Sequence, residues 1–175
     1  MKNKLIWIIT WITIIGLGTY VIVDHYNKPK TAYIIIQEAY GKFDLKKDLE
    51  KKFIATKNKR QKILDSLTFE LKLLTKAMDE EKGANKDKEN LHNRKQAEFY
   101  QRRQTFEQDN NQLSKQYDQE ILSQLDQYVS DYGKENHYEY IFGNDGNGSL
   151  MHADDALNVT KQVVQYINDR YKGKK

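Results

Sequence analysis

From residue 44 to residue 132 the chain contains no proline and a single glycine, and this uninterrupted stretch decides what the rest can fold around. Its apolar residues recur three or four apart on both sides of one polar gap, the spacing of a narrow stripe along a helix. The first half carries the stripe on Leu49, Phe53, Ile63, Leu67, Leu71, Leu74 and Met78, passing through Thr56 and Arg60 in the same register. The second half carries it on Leu91, Phe99, Phe106, Leu113, Tyr117, Ile121, Leu125 and Tyr128. Such a stripe is the seam of a coiled coil, too narrow for a helix lying on a globular core. Around residues 79–90, Gly83 and Asn85 accept positive φ and the flanking charges resist burial, so the chain reverses there. Two antiparallel arms of about 40 residues, at roughly 1.5 Å per residue, reach about 60 Å.

Little chain is left over for a body. Of 175 residues, about half lie in the hairpin and roughly 25 in the opening segment, and the remaining ~55 are too few to be stable on their own core without disulfides, metal or oligomerisation. Cysteine is absent, which excludes disulfides and thiolate chemistry. The four histidines, His25, His92, His137 and His152, have no metal-ligand spacing. Self-association is the remaining support. A net charge of +4, nearly balanced along the chain, argues against nucleic acid as the partner. The base of the first arm is locally basic: Lys46, Lys47, Lys51, Lys52, Lys57, Lys59, Arg60 and Lys62 face only Asp44, Asp48 and Glu50. That run is a solvated helix face or a binding surface.

The opening carries Lys2 and Lys4, then an uncharged apolar run over residues 5–23 that includes Leu5, Trp7, Trp11, Tyr20 and Val23. About 19 such residues just span the hydrocarbon layer, with Trp7 and Tyr20 near its interfaces. Cleavage after Gly16-Leu17-Gly18 as a signal peptide is the alternative. Both readings export the rest of the chain, anchored to the membrane in one case and released from it in the other. Both tryptophans lie in this run, so a cleaved protein would lack tryptophan fluorescence.

Four regions follow: 1–31, the anchor or signal segment and its tether; 32–43, a first strand; 44–132, the helical hairpin; and 133–175, a β-hairpin and closing helix. Residues 32–37, rich in β-branched side chains, read as a strand covered on both faces. Gly133 is placed to cap the second arm. Residues 137–142 and 149–153 read as strands joined by a tight turn over 143–148. Asp154 and Asp155 are placed to cap a last helix whose apolar face is Val159, Val163, Val164, Ile167 and Tyr171. The fold class is α+β, mostly α, with a long antiparallel hairpin as a tentacle on a small β-body.

No motif carries chemistry. Asp145-Gly146-Asn147-Gly148-Ser149 alternates oxygen ligands as a calcium loop does, but Leu150 and Ala156 stand where that loop requires glycine and an acidic ligand. There is no phosphate-cradling glycine loop with its lysine, and no nucleophile with its base and orienting acid. The chain therefore reads as a non-enzyme, with no catalytic residue, no metal site and no cofactor.

The order of parts, together with Tyr33-Ile34-Ile35-Ile36 leading to Phe43, Arg103-Gln104-Thr105-Phe106-Glu107-Gln108, and Tyr138-Glu139-Tyr140-Ile141-Phe142 running on through Asp145-Gly146-Asn147-Gly148-Ser149-Leu150-Met151-His152-Ala153-Asp154, resembles the OmpH/Skp family of periplasmic chaperones over residues 32–172. The resemblance implies a homotrimer in which strands of three chains build one body and three hairpins enclose a cavity for unfolded outer-membrane proteins, without ATP. Ile34, Ile36, Tyr140, Phe142 and Leu150 are then the candidates for the trimer body. Lys51, Lys52, Lys59, Arg60, Phe99 and Tyr100 are the candidates for client contact. The hairpin tip is of mixed sign, unlike the basic tips associated with the family, so lipopolysaccharide binding is not carried over. A membrane-tethered spacer without a client cavity is the alternative function. An efflux-pump adaptor also combines anchor and hairpin, but this chain has no room for its flanking domains.

Overall fold

The computed structural model describes residues 29–80 and 85–174, together with Thr13, Gly16 and Thr19. Leu5, Trp7, Trp11, Tyr20 and Val23 of the expected membrane segment lie outside the described residues. Among the described residues no helix is long and apolar enough to cross a membrane.

Strand β1 spans Thr31–Ile35 and leads directly into a short helix α1, Ile36–Lys42. After Phe43 the first arm α2 runs Asp44–Glu80, and the second arm α3 returns over Lys86–Glu135. Strand β2, Tyr140–Asn144, a 3-10 turn at Asp155–Leu157 and helix α4, Thr160–Tyr171, complete the chain. At 37 and 50 residues the arms are about 55 and 75 Å long, at roughly 1.5 Å per residue. The Asn85 side chain accepts from the amides of Asp87 and Lys88, which starts α3 cleanly on the far side of the reversal.

Seam and solvent faces follow the periodicity with two exceptions, one of them Leu91, expected in the seam and 37% exposed. Leu49 and Leu67 of α2 and Ile121 and Leu125 of α3 are buried. Ile63, expected in the seam, is 42% exposed, and Leu64 takes the inward place. Three polar rungs tie the arms together. Arg60 Nη1 donates to Asn110 Oδ1 at 2.5 Å and Nη2 to Asp109 Oδ2 at 3.2 Å. Lys95 Nζ meets Glu70 Oε2 at 2.8 Å, and Thr75 Oγ1 lies 3.3 Å from His92 Nε2.

The apolar core sits at the base of the arms, where they meet β1, α1 and α4. Phe43, Val163 and Ile167 are fully enclosed there. The Phe43 ring lies edge-on to Tyr128 at 6.1 Å and to Tyr171 at 5.9 Å. Asn168 locks the α1–α2 corner by accepting from the Asp44 amide and donating to the Lys42 carbonyl.

The sheet differs from the expected hairpin. β1 and β2 pair in parallel, with Thr31 opposite Tyr140 and Ile35 opposite Asn144. Residues 149–153 form no strand. The reversal needed for a hairpin is consumed locally, because Gly146 and Gly148 take positive φ and the side chains of Asn144 and Asp145 accept from backbone amides two residues on. Asn158 makes a parallel bridge to Tyr33 instead, with the Val159 amide donating to the Tyr33 carbonyl. β1 is therefore central, as its buried Ala32, Tyr33 and Ile34 require.

Two further boundaries move. Ile36, expected in the strand, opens α1, and its side chain lies over Gly143, where an added Cβ would come within 2.6 Å of Ile36 Cδ1. Gly133, expected as a cap, lies inside α3 under the Ile141 side chain. The helix ends two residues later, at Glu135, in a Schellman motif: the Tyr138 amide donates to the Gly133 carbonyl and the His137 amide to the Lys134 carbonyl. His137 takes the left-handed conformation, φ 57°.

Candidate functional site

Two surfaces have no task within the single chain. The first lies between the arms. Around Arg60 the seam has no apolar partner to offer: a guanidinium and an amide stand where two leucines would close a coiled coil. The helices leave there a cavity of about 490 Å³. Phe53, Phe99, Phe106 and Leu64 give it an apolar floor, and Lys57 and Arg103 stand at its rim. The Arg60 guanidinium lies 5.8 Å from the Phe106 ring and is already engaged by Asp109 and Asn110, so its charge is largely compensated. Lys57 and Arg103 have no ion-pair partner within 4.0 Å among the described residues.

The candidate client contacts thus separate. Arg60 and Phe99 meet in this cavity. Tyr100 stands edge-on to Phe99 at 5.7 Å but is 58% exposed. Lys51 is paired with Asp48 at 3.6 Å, whereas Lys52 and Lys59 project from α2 with no ion-pair partner among the described residues. Lys57, Leu64 and Arg103 were not singled out for the site by the sequence. The readable signal was the polar pair Arg60 and Asn110 interrupting two otherwise apolar stripes.

The second surface is the outer edge of β2. It has no strand partner among the described residues, and Tyr140 and Phe142 stack on its face at 6.1 Å while remaining 57% and 50% exposed. Of the other candidates for the body, Ile34 is spent on the chain's own core, and Ile36 and Leu150 are half-buried. Met151 beyond the loop is 88% exposed. An exposed edge flanked by aromatic rings is a template for pairing with another chain.

Around the base, burial shifts the phenols and close ion pairs shift the charged groups. Tyr40 is pushed up to about 12 by burial and by Asp118, whose Oδ1 accepts its hydroxyl at 2.6 Å. Asp44 is held below the usual carboxylate range by Lys172 at 2.5 Å and Lys47 at 2.6 Å. Neither arrangement has the exposed, poised geometry of a general acid or base.

A helical hairpin rooted in a small open sheet defines a class of tentacle proteins. A family model described as outer membrane protein (OmpH-like) matches residues 30–167, and the chain belongs to that family. A crystal structure of an OmpH-like candidate outer membrane chaperone from Caulobacter crescentus CB15 superposes with a TM-score of 0.70 at 14% identity, covering 82% of this chain and 86% of that one. It shares the fold. No curated protein matches the chain.

Proposed function

We propose that the protein is an ATP-independent periplasmic holdase in which three chains join through their β2 edges and the hairpins surround unfolded outer-membrane proteins. The β2 edge with Tyr140 and Phe142 carries the reading, because among the described residues it has no strand partner and the sheet has two strands, too few to be stable without a neighbour. Family membership supports the chaperone class. Arms with a floor of phenyl rings and uncompensated cations can hold an extended chain by many weak contacts, none of which requires a defined client fold. Lys51, Lys52, Lys59, Arg60, Phe99 and Tyr100 are proposed as client contacts, and residues 5–23 as the export segment or inner-membrane anchor.

The test is aggregation of a urea-denatured outer-membrane protein diluted into buffer without nucleotide. The full chain is expected to suppress light scattering when its trimer is in molar excess, and native mass measurement is expected to give three copies. A trimer that leaves aggregation unchanged rejects the holdase and favours a spacer. A stable monomer at micromolar concentration rejects the enclosure.

A further inference from the structure

We propose that the mid-arm cavity is a recognition pocket for an aromatic side chain lying next to a carboxylate on an extended client segment. This rests on the holdase reading and gives it a sequence preference. Non-specific holding by a long hairpin needs no cavity, yet around Arg60 the two arms part and their own side chains leave about 490 Å³ of space between them. That volume lies in the range of small-ligand sites, about 300–1,000 Å³.

The lining selects the occupant. Phe53, Phe99 and Phe106 converge on the cavity, and aromatic rings favour edge-on or offset contact with a further ring by about 0.5–1.5 kcal/mol beyond burial. Lys57 and Arg103 stand at the rim without an ion-pair partner among the described residues, while Arg60 is held by Asp109. Glu107 is the one carboxylate at the rim that Arg60 does not engage, which leaves the mouth net positive. An aromatic group can enter the floor while an adjacent carboxylate meets the Lys57 ammonium and the Arg103 guanidinium, and Arg103 offers the forked geometry that a carboxylate matches. A lysine beside the same aromatic group would meet two like charges. The Asn111 amide at the rim, without a side-chain hydrogen-bond partner among the described residues, can bond the client's backbone.

The experiment measures fluorescence anisotropy of labelled, end-blocked peptides of Gly and Ser that carry one Phe-Asp or one Phe-Lys pair, titrated with the full chain. The Phe-Asp peptide is expected to bind more tightly, and the double variant K57E/R103E to weaken it by about tenfold, as the loss of two exposed charge contacts implies. The variant N111W, which fills the mouth without altering charge, is expected to abolish the preference. K72E/K115E, on exposed faces of the arms outside the cavity lining and outside the proposed client contacts, is expected to leave it intact. Circular dichroism of each variant confirms the helices.

Equal affinity for the two peptides, or binding untouched by both K57E/R103E and N111W in folded protein, overturns the pocket. Aggregation suppression run in parallel separates the two claims. A wild type that suppresses aggregation but shows no peptide preference loses the pocket and keeps the holdase; a wild type that fails to suppress loses the holdase even if the peptide binds. Preferential capture of anionic lipid vesicles over the Phe-Asp peptide, abolished by N111W, also overturns the proposal, since it would make the cavity a lipid site.

Discussion

At the scale of single residues, the body is stabilised by groups that ordinary composition counts miss. His137 holds the left-handed position of the motif that ends α3, a conformation that costs a residue with a Cβ about 1–2 kcal/mol. Its ring is exposed. The variant H137G is therefore expected to raise stability by about 1 kcal/mol, read as a higher urea midpoint with unchanged slope. The second residue-scale effect concerns phenols. Burial raises Tyr40 to about 12 and also raises Tyr132, Tyr166 and Tyr171, the last with help from Asp48. A raised value in the folded chain contributes stability that is fully present below the ordinary phenol value of 10.0 and is lost as pH rises through about 12. Alkaline unfolding is therefore expected over that window, with tyrosinate absorbance and loss of ellipticity rising together. Tyrosinate formation complete well before the helices melt would contradict it.

At the scale of elements, the polar rung of Arg60 with Asn110 and Asp109 is the feature that most departs from a simple coiled coil. Replacing a half-buried charged rung by apolar side chains is often stabilising by about 1–4 kcal/mol, because desolvation of the charge is removed. The double variant R60L/N110L is expected to raise the thermal midpoint of the hairpin and to close the cavity, whereas R60L alone, leaving Asp109 and Asn110 without their donor, is expected to be neutral or destabilising. Circular dichroism melts of both variants decide this. The arms themselves were legible from periodicity, since a 3.6-residue repeat records only which face is apolar, and Leu49, Leu67, Ile121 and Leu125 are indeed buried. Ile63 against Leu64 was not, because either residue keeps the spacing and only the partner arm chooses. Pairing of strands was equally hidden. Residues 149–153 have strand-like composition, but the turn chemistry of Asn144 and Asp145 and the bridge from Asn158 to Tyr33 decide which backbone meets β1. The cavity could be read only as a break in the stripe at Arg60, and its rim residues Lys57 and Arg103 needed the geometry.

At the scale of the whole molecule, the balance between core and surface sets how the chain is kept folded. Twelve buried residues form the core cluster, all of them at the base of the arms, so most of α2 and α3 is held only by its narrow seam. The β2 edge adds Tyr140 and Phe142, whose exposed rings gain nothing unless a second chain covers them. If association supplies that cover, folding and assembly are linked, and apparent stability depends on protein concentration by mass action. The full chain is then expected to melt about 2–4 °C higher for each tenfold rise in concentration. Y140K/F142K places two ammonium groups on the edge, where they repel their counterparts on a neighbouring chain while remaining solvated on the monomer. This variant is expected to lose the concentration dependence, to sediment as a monomer and to melt at or below the lowest wild-type temperature. Because neither ring belongs to the core cluster, its far-ultraviolet helicity at low temperature should stay at the wild-type value. A wild-type melting temperature that is flat with concentration would mean the two-stranded sheet is sufficient by itself, and the exposed aromatic edge would then have to serve something other than a second copy of this chain.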